Sequence, residues 1–279
     1  MGMQINTNVM ANTAYGNLSR TQDAMSKSME KLSSGLRINR AADDAAGLAI
    51  SEGLKSQISG SAVAARNAQD GISVIQTTEG ALTEVHSILQ RMRDLAVQGA
   101  SDTNNAASRA AIKSEGNSLG QELDRMVKST NFNGITLLDT DKTLNIQVGT
   151  AGSLNDTIGV SLKNVATTLG TLADPAAATG FDVTTNTLAQ GTVTTIDAAI
   201  ASVSAQRAGL GATQNRLEHA TKALQVSGEN LSAASSRITD TDMASEMVKF
   251  TKANIMSQAG TAMLAQANQS GQGVLSLLR

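Results

Sequence analysis

Cysteine and tryptophan are absent from the chain, and proline occurs once, at Pro175. Without cysteine there is no disulfide framework and no thiolate metal site. With a single proline, almost nothing interrupts long helices. Aromatic residues make up 1% of the 279 positions, as Tyr15, Phe132, Phe181 and Phe250. An enzyme of this length ordinarily uses several aromatic side chains in its core and pocket, so the scarcity points away from a ligand-binding globule. Charged residues are only 16%, with a net charge of −2. That balance supplies neither the clustered basic surface that nucleic acid requires nor the Lys/Arg-rich polar face of a membrane-surface helix. No run approaches the roughly 18 apolar residues of a membrane span, so membrane insertion is not expected. The opening segment MGMQINTNVMANTAYG has no basic region leading into an apolar core, so no cleavable signal peptide is expected. Export, if it occurs, would use a route that reads no conventional leader.

What the chain does contain is Ala, Leu, Ile, Val and eleven methionines, side chains suited to narrow helix–helix seams. The 24 glycines work against this where they fall in helical patterns, each costing roughly 1 kcal/mol relative to alanine. Such helices need partners. Near the N-terminus Leu18, Met25 and Leu32 repeat every seven residues, with Gln22, Met29 and Leu36 as a companion series. A break follows at Gly35, and Asp43–Asp44 marks a new helix start because negative charge suits the N-terminal end of the helix dipole. From Leu54 through Ile75, Leu82 and Leu89 to Ala96 the spacing stays helical for about fifty residues, a rod of roughly 75 Å. Gly99 to Asn105 reads as a turn and Ala106–Lys128 as a shorter helix.

The far end mirrors this pattern. Val203, Leu210, Leu217, Leu224, Leu231 and Ile238 repeat every seven residues, with small residues such as Ala220 and Ala234 between them. That alternation suits close antiparallel packing, with the register left open. A last helix carries Met243, Met247, Phe250, Ile255 and Met263. Between the helical blocks the period falls to 2, in Leu144–Ile146–Val148 and Ile158–Val160–Leu162, and predicts a β-hairpin. Residues 164–192, rich in Thr, Ala and Gly, read as an exposed loop or short irregular lobe. The fold class is therefore mainly α: a long antiparallel helical coiled-coil bundle with a small β-hairpin region and paired terminal helices. Periodicity alone leaves a single unassembled bundle as the alternative.

A search for chemistry returns nothing. His86 and His219 each sit alone in a helical pattern, and neither begins a zinc-binding HExxH. There is no GxxxxGK phosphate loop, and Gly209–Leu210–Gly211 lies inside the strongest heptad run rather than after a strand. The carboxylate pairs Asp43–Asp44 and Asp240/Asp242 fall at helix starts, where capping accounts for them. No catalytic, cofactor-binding or metal-binding residue is assigned.

Several long motifs do resemble one family. Ser33–Ser34–Gly35–Leu36–Arg37–Ile38–Asn39, running into Ala41–Ala42–Asp43–Asp44–Ala45–Ala46–Gly47–Leu48–Ala49–Ile50, resembles the N-terminal signature of bacterial flagellins. So do Asn67–Ala68–Gln69–Asp70–Gly71–Ile72, Gln90–Arg91–Met92–Arg93–Asp94–Leu95 and Asn131–Phe132–Asn133–Gly134. Arg207–Ala208–Gly209–Leu210–Gly211 and Ser236–Arg237–Ile238 through Asp240–Thr241–Asp242–Met243 resemble the matching C-terminal block. The resemblance covers most of residues 1–140 and 195–279.

It implies a short-form flagellar filament subunit with a minimal variable region, a self-assembling helical polymer for swimming motility. Residues 1–44 with 239–279 would form an inner terminal coiled coil. Residues 45–163 with 193–238 would form an outer helical bundle carrying the hairpin, and 164–192 a short variable surface loop. The implied subunit-packing residues are Leu18, Met25, Met29, Leu32, Met243, Met247, Phe250, Ile255 and Met263. Implied partners are other copies of the chain, the flagellar cap, hook–filament junction proteins, an export chaperone and the type III export apparatus. The implied location is extracellular, in the flagellum. Family members recognised by Toll-like receptor 5 use a helical surface matched here by Arg91, Leu95 and Glu115, with Met92 and Asp94 replacing the usual Val and Glu.

Overall fold

The computed structural model describes residues 8–172 and 180–277. Residues 1–7, 173–179 with Pro175, and Leu278 and Arg279 lie outside the described residues. The Asn8 side chain accepts from the Ala11 amide and opens helix α1, Val9–Ser34. Gly35 ends it in the left-handed region at φ 73°, its amide donating to the Lys31 carbonyl. A side chain at that position would clash with its own backbone, so glycine sets the stop. Helix α2, Ala45–Gly99, starts where the acidic pair predicts, with Asp44 Oδ1 accepting from the Gly47 amide at 2.9 Å. Asn105 caps α3, Ala106–Ser129.

Strands β1, Asn131–Phe132, and β2, Ile135–Thr136, close on Asn133 and Gly134, whose φ values of 49° and 76° are the paired positive angles of a two-residue hairpin turn. Strands β3, Lys142–Gln147, and β4, Thr157–Leu162, form the predicted hairpin, antiparallel, with Leu144 opposite Val160 and Ile146 opposite Ile158. The chain continues through the short α4, Val165–Leu169, a 3₁₀ turn at Gly170–Leu172, and the long α5, Asn186–Thr239. It finishes with α6, Met243–Leu277. The architecture is mainly α, with two small two-stranded sheets among the described residues.

The chain forms two compact units, one of residues 59–229 and one of residues 1–58 with 230–279. The divisions fall inside α2 and α5, not at the helix breaks near 44 and 239 that the sequence offers. In the unit of residues 59–229, α2 and α5 run antiparallel, joined by Arg207–Glu79 at 2.7 Å and Arg93–Asp197 at 2.6 Å. Ile75, Leu82, Leu89 and Met92 on α2, Leu123 on α3, and Ile196, Val203, Leu210 and Leu217 on α5 are fully buried. Ile158, Val160 and Leu162 bring one face of the hairpin into the same core.

The described parts of 164–192, residues 164–172 and 180–192, depart from the expectation of an exposed loop. Val165, Leu169, Leu172, Phe181, Val183 and Ala189 are all buried in this core. Phe181 lies over Gly116 on α3, where a Cβ would collide with its ring, and the Leu172 carbonyl faces Gly120 one turn further on. These apolar residues are spread among Thr, Ala and Gly, so no period marks them. Glycines on α3 make the room they occupy.

The unit of residues 1–58 with 230–279 holds an antiparallel pairing of α1 with α6, the turns that precede α2 and follow α5, and the first part of α2 and last part of α5. Among its described residues the buried apolar side chains are only Ile38, Ala253 and Ala267.

Candidate self-assembly surfaces

The seam between α1 and α6 is a heptad stripe on each helix. On α1 the covered positions are Ala11, Ala14, Leu18, Thr21, Met25, Ser28 and Leu32, and on α6 they are Glu246, Phe250, Ala253, Ser257, Gly260, Leu264 and Ala267. Both series step alternately by three and four, as antiparallel coiled-coil packing requires. The seam is made largely of small and polar side chains, so the helices approach closely. A Cβ on Gly260 would stand 3.2 Å from Leu18 Cδ1. At one end Asn8 Nδ2 donates to the Ala267 carbonyl at 3.0 Å. At the other, Glu246 is only 5% exposed. Its carboxylate accepts from Ser28 Oγ at 2.7 Å and pairs with Lys249 Nζ at 2.9 Å. The Lys249 hydrogen bond, then the Ser28 hydrogen bond, hold its carboxyl below the ordinary glutamate value.

The heptad reading of α1 found half of this stripe. Leu18, Met25 and Leu32 lie in the seam, but their partners there are Ala14, Thr21 and Ser28; Gln22 and Met29 are exposed. On α6, Phe250 is in the seam, whereas Met243, Met247, Ile255 and Met263 are exposed. Together with Val248 and Met256 they leave α6 apolar on faces the chain itself does not cover. Val9, Met10 and Tyr15 extend the uncovered apolar surface to the start of α1. The packing residues expected from sequence thus divide into an intrachain set and a set with no intrachain neighbour over them. Val248, Met256, Met10 and Tyr15 belong with the second set. For Val248 and Met256 the signal was the spread of apolar residues around α6, not any one period, and no sequence signal marked Met10 and Tyr15 on α1.

Two turns lock the base of the helix pair. The Arg37 amide donates to the Thr239 carbonyl at 2.6 Å and the Thr241 amide to the Gly35 carbonyl at 2.9 Å, around a bridge between Leu36 and Asp240. Arg37 Nη2 reaches the Ile238 carbonyl at 2.7 Å. The acidic pairs serve these turns as caps. Asp43 accepts from the Asn39 and Arg40 amides, which lower its pKa, and Asp242 accepts from the Ala244 and Ser245 amides at 3.0 and 3.2 Å.

In the other unit, Arg91 and Glu115 are exposed and paired at 2.6 Å between α2 and α3. Leu95 is 2% exposed and packs in the core beneath them, so this surface presents the ion pair without the leucine. His86 Nε2 lies 2.9 Å from the Gln90 amide nitrogen on its own helix. No group of three or more His, Asp or Glu could hold a metal among the described residues, and no described helix is long and apolar enough to cross a membrane.

Comparison with known proteins matches residues 5–143 to the bacterial flagellin N-terminal helical region and residues 193–278 to the C-terminal helical region. The chain is similar to a flagellin of Halalkalibacterium halodurans, 51% identical over 99% of this chain and all of that one. It is 47% identical to a flagellin of Bacillus subtilis over 99% of this chain and all of that one. The crystal structure of Bacillus cereus flagellin superposes with a TM-score of 0.50 at 33% identity, over 57% of this chain and 88% of that one.

Proposed function

The chain belongs to the bacterial flagellins, structural subunits of the extracellular flagellar filament and not enzymes, and on that premise we propose that its terminal helices reach full stability only when copies of the same chain cover them. The observation that carries this is the uncovered apolar surface of α1 and α6, from Met10 and Tyr15 to Met247, Ile255 and Met263. Ordering a helix costs roughly 1–2 kcal/mol per residue in backbone entropy. A seam in which Ala, Ser, Thr and Gly outnumber the large apolar residues, none of which is fully buried, covers little apolar area to offset it. Copies packed on the outer faces supply the remainder, so folding of the ends and polymerisation are linked by mass action. In this reading residues 1–44 with 239–279 form the inner layer of the filament, and residues 45–163 with 193–238 the layer outside it.

The same exposed faces need handling before assembly, which is the role of an export chaperone, the type III apparatus, the junction proteins and the distal cap. A chain exported this way requires no cleaved signal peptide. The test is limited proteolysis of monomer and seeded filament side by side. Cleavage within residues 8–40 and 240–270 is expected in the monomer and protection in the filament; equal resistance in both overturns the coupling.

A second, separable reading is recognition by Toll-like receptor 5 on the α2–α3 surface, favoured by the exposed Arg91–Glu115 pair. Arg91→Ala is expected to weaken receptor signalling while leaving filament growth unchanged. Unaltered signalling counts against it.

A further inference from the structure

Methionine is distributed unequally between the two units. Among the described residues, Met10, Met29, Met243, Met247, Met256 and Met263 are exposed, at 48 to 70%, and all six belong to the unit that holds the chain ends. The two methionines of the other unit are covered: Met92 is fully buried and Met126 packs against the core. With no cysteine in the chain, thioethers are its only sulfur, and among the described residues the exposed ones lie on the faces assigned above to neighbouring copies.

From this distribution we infer that the exposed methionines form an oxidation-sensitive modification site that gates assembly, the reactant being a two-electron oxidant of the peroxide class. The inference rests on the filament reading. Peroxide transfers one oxygen atom to the thioether sulfur; the sulfur is oxidised to the sulfoxide, the O–O bond breaks, and the peroxide is reduced to water. The product is polar and chiral where a flexible apolar side chain stood. Burying it against a neighbour strands an S–O acceptor without a donor. A free subunit presents all six sulfurs, whereas a subunit inside a filament has them covered. The gate therefore acts on chains not yet incorporated. The methylenes and sulfur of Met also tolerate several packing geometries, which explains why such a face would carry Met at some cost in chemical resistance. Met92 and Met126 lie in a core that oxidant does not reach, so the modified chain keeps that fold.

The experiment treats the purified full chain with dilute hydrogen peroxide, maps the sulfoxides by peptide mass, and measures elongation from filament seeds. Oxidation is expected at the six exposed positions before Met92 or Met126, with elongation slowed about tenfold or more, as loss of about 1.4 kcal/mol per added subunit would give. Methionine sulfoxide reductase is expected to restore it. A variant with all six changed to Leu is expected to elongate in peroxide as it does without it, and assembled filaments are expected to oxidise more slowly than free chain. Unchanged elongation of chain sulfoxidised at all six exposed positions, failure of the reductase to restore growth, or equal oxidation of chain and filament would each overturn the gate while the filament reading stands. Untreated chain that does not elongate from seeds overturns the filament reading itself.

Discussion

The two units of this chain are both built from antiparallel helix pairs, yet they solve opposite problems. Residues 59–229 wrap α2, α3 and α5 around leucines, Phe181 and one face of a hairpin, and leave few large apolar side chains outside. The unit holding the chain ends sets Ala, Ser, Thr and Gly among a few large apolar residues in its seam and displays Met, Ile and Val outside it. The first unit is complete within one chain. The second leaves many of its large apolar residues outside the seam, uncovered by the chain itself. Burial and composition, not helix content, separate the two units, and on the proposed reading they separate a unit that folds alone from one that folds by joining others.

The sharpest way to break this comparison is to truncate one apolar residue in each unit. Leu89→Ala empties a fully buried site and is expected to cost the monomer about 3–4 kcal/mol. Ile255→Ala, at an exposed site, is expected to shift monomer stability by no more than about 0.5 kcal/mol while lowering the temperature at which filaments dissociate. Denaturant melts of monomer and thermal melts of filament separate the two; similar monomer losses would erase the distinction.

Acid offers a smaller effect on the terminal pair. The folded pKa of Glu246 is lowered, so its contribution is present above the ordinary glutamate range and is lost as pH falls through the lowered value. Lys249, Ser28 and, at longer range, Lys31 face it. Asp43 and Asp240 in the nearby turns are lowered as well and titrate in the same direction. Amide exchange on α1 and α6 is therefore expected to rise in acid, with Glu246→Gln flattening part of that dependence. Ser28→Ala, removing one hydrogen bond to the buried carboxylate, is expected to destabilise the pairing by about 2 kcal/mol at neutral pH.

The smallest test uses one substitution twice. Gly116→Ala drives a methyl into the Phe181 ring, which is locked in the core, and is expected to cost about 1–3 kcal/mol. Gly260→Ala meets only the end of the half-buried Leu18 side chain, which can turn aside, so the helix-propensity gain of up to about 1 kcal/mol dominates. Opposite signs in thermal melts of the two variants are expected.

Much of this fold was legible in the sequence because its helix ends are written in local chemistry. Gly35, Asp43–Asp44 and Asn105 stop or start helices by their own backbone and side-chain preferences, and the structure puts boundaries at each. The hairpin showed itself by a change of period. Two things were hidden. The seam partners Thr21, Ser28, Ser257 and Gly260 are small or polar, so a search for apolar repeats passes over them and selects the outward-facing Met29 and Ile255 instead. Phe181 and its neighbours in 164–192 pack by filling space above glycines on α3, a tertiary fit that no period within the segment records.

The hydrogen bonds that tie Gly35 and Arg37 to Thr239 and Thr241 fix an angular origin for the helices that leave them. Each residue of an α-helix advances about 100° around its axis. One residue inserted between Asp242 and Glu246 would keep that origin and turn everything beyond it by that step. Glu246 and Phe250 would swing out of the seam, and residues that now face outward would be turned toward α1. Which side of α6 is interior and which is offered to other copies is thus a matter of phase, set by four residues at its base and carried unaltered along the helix.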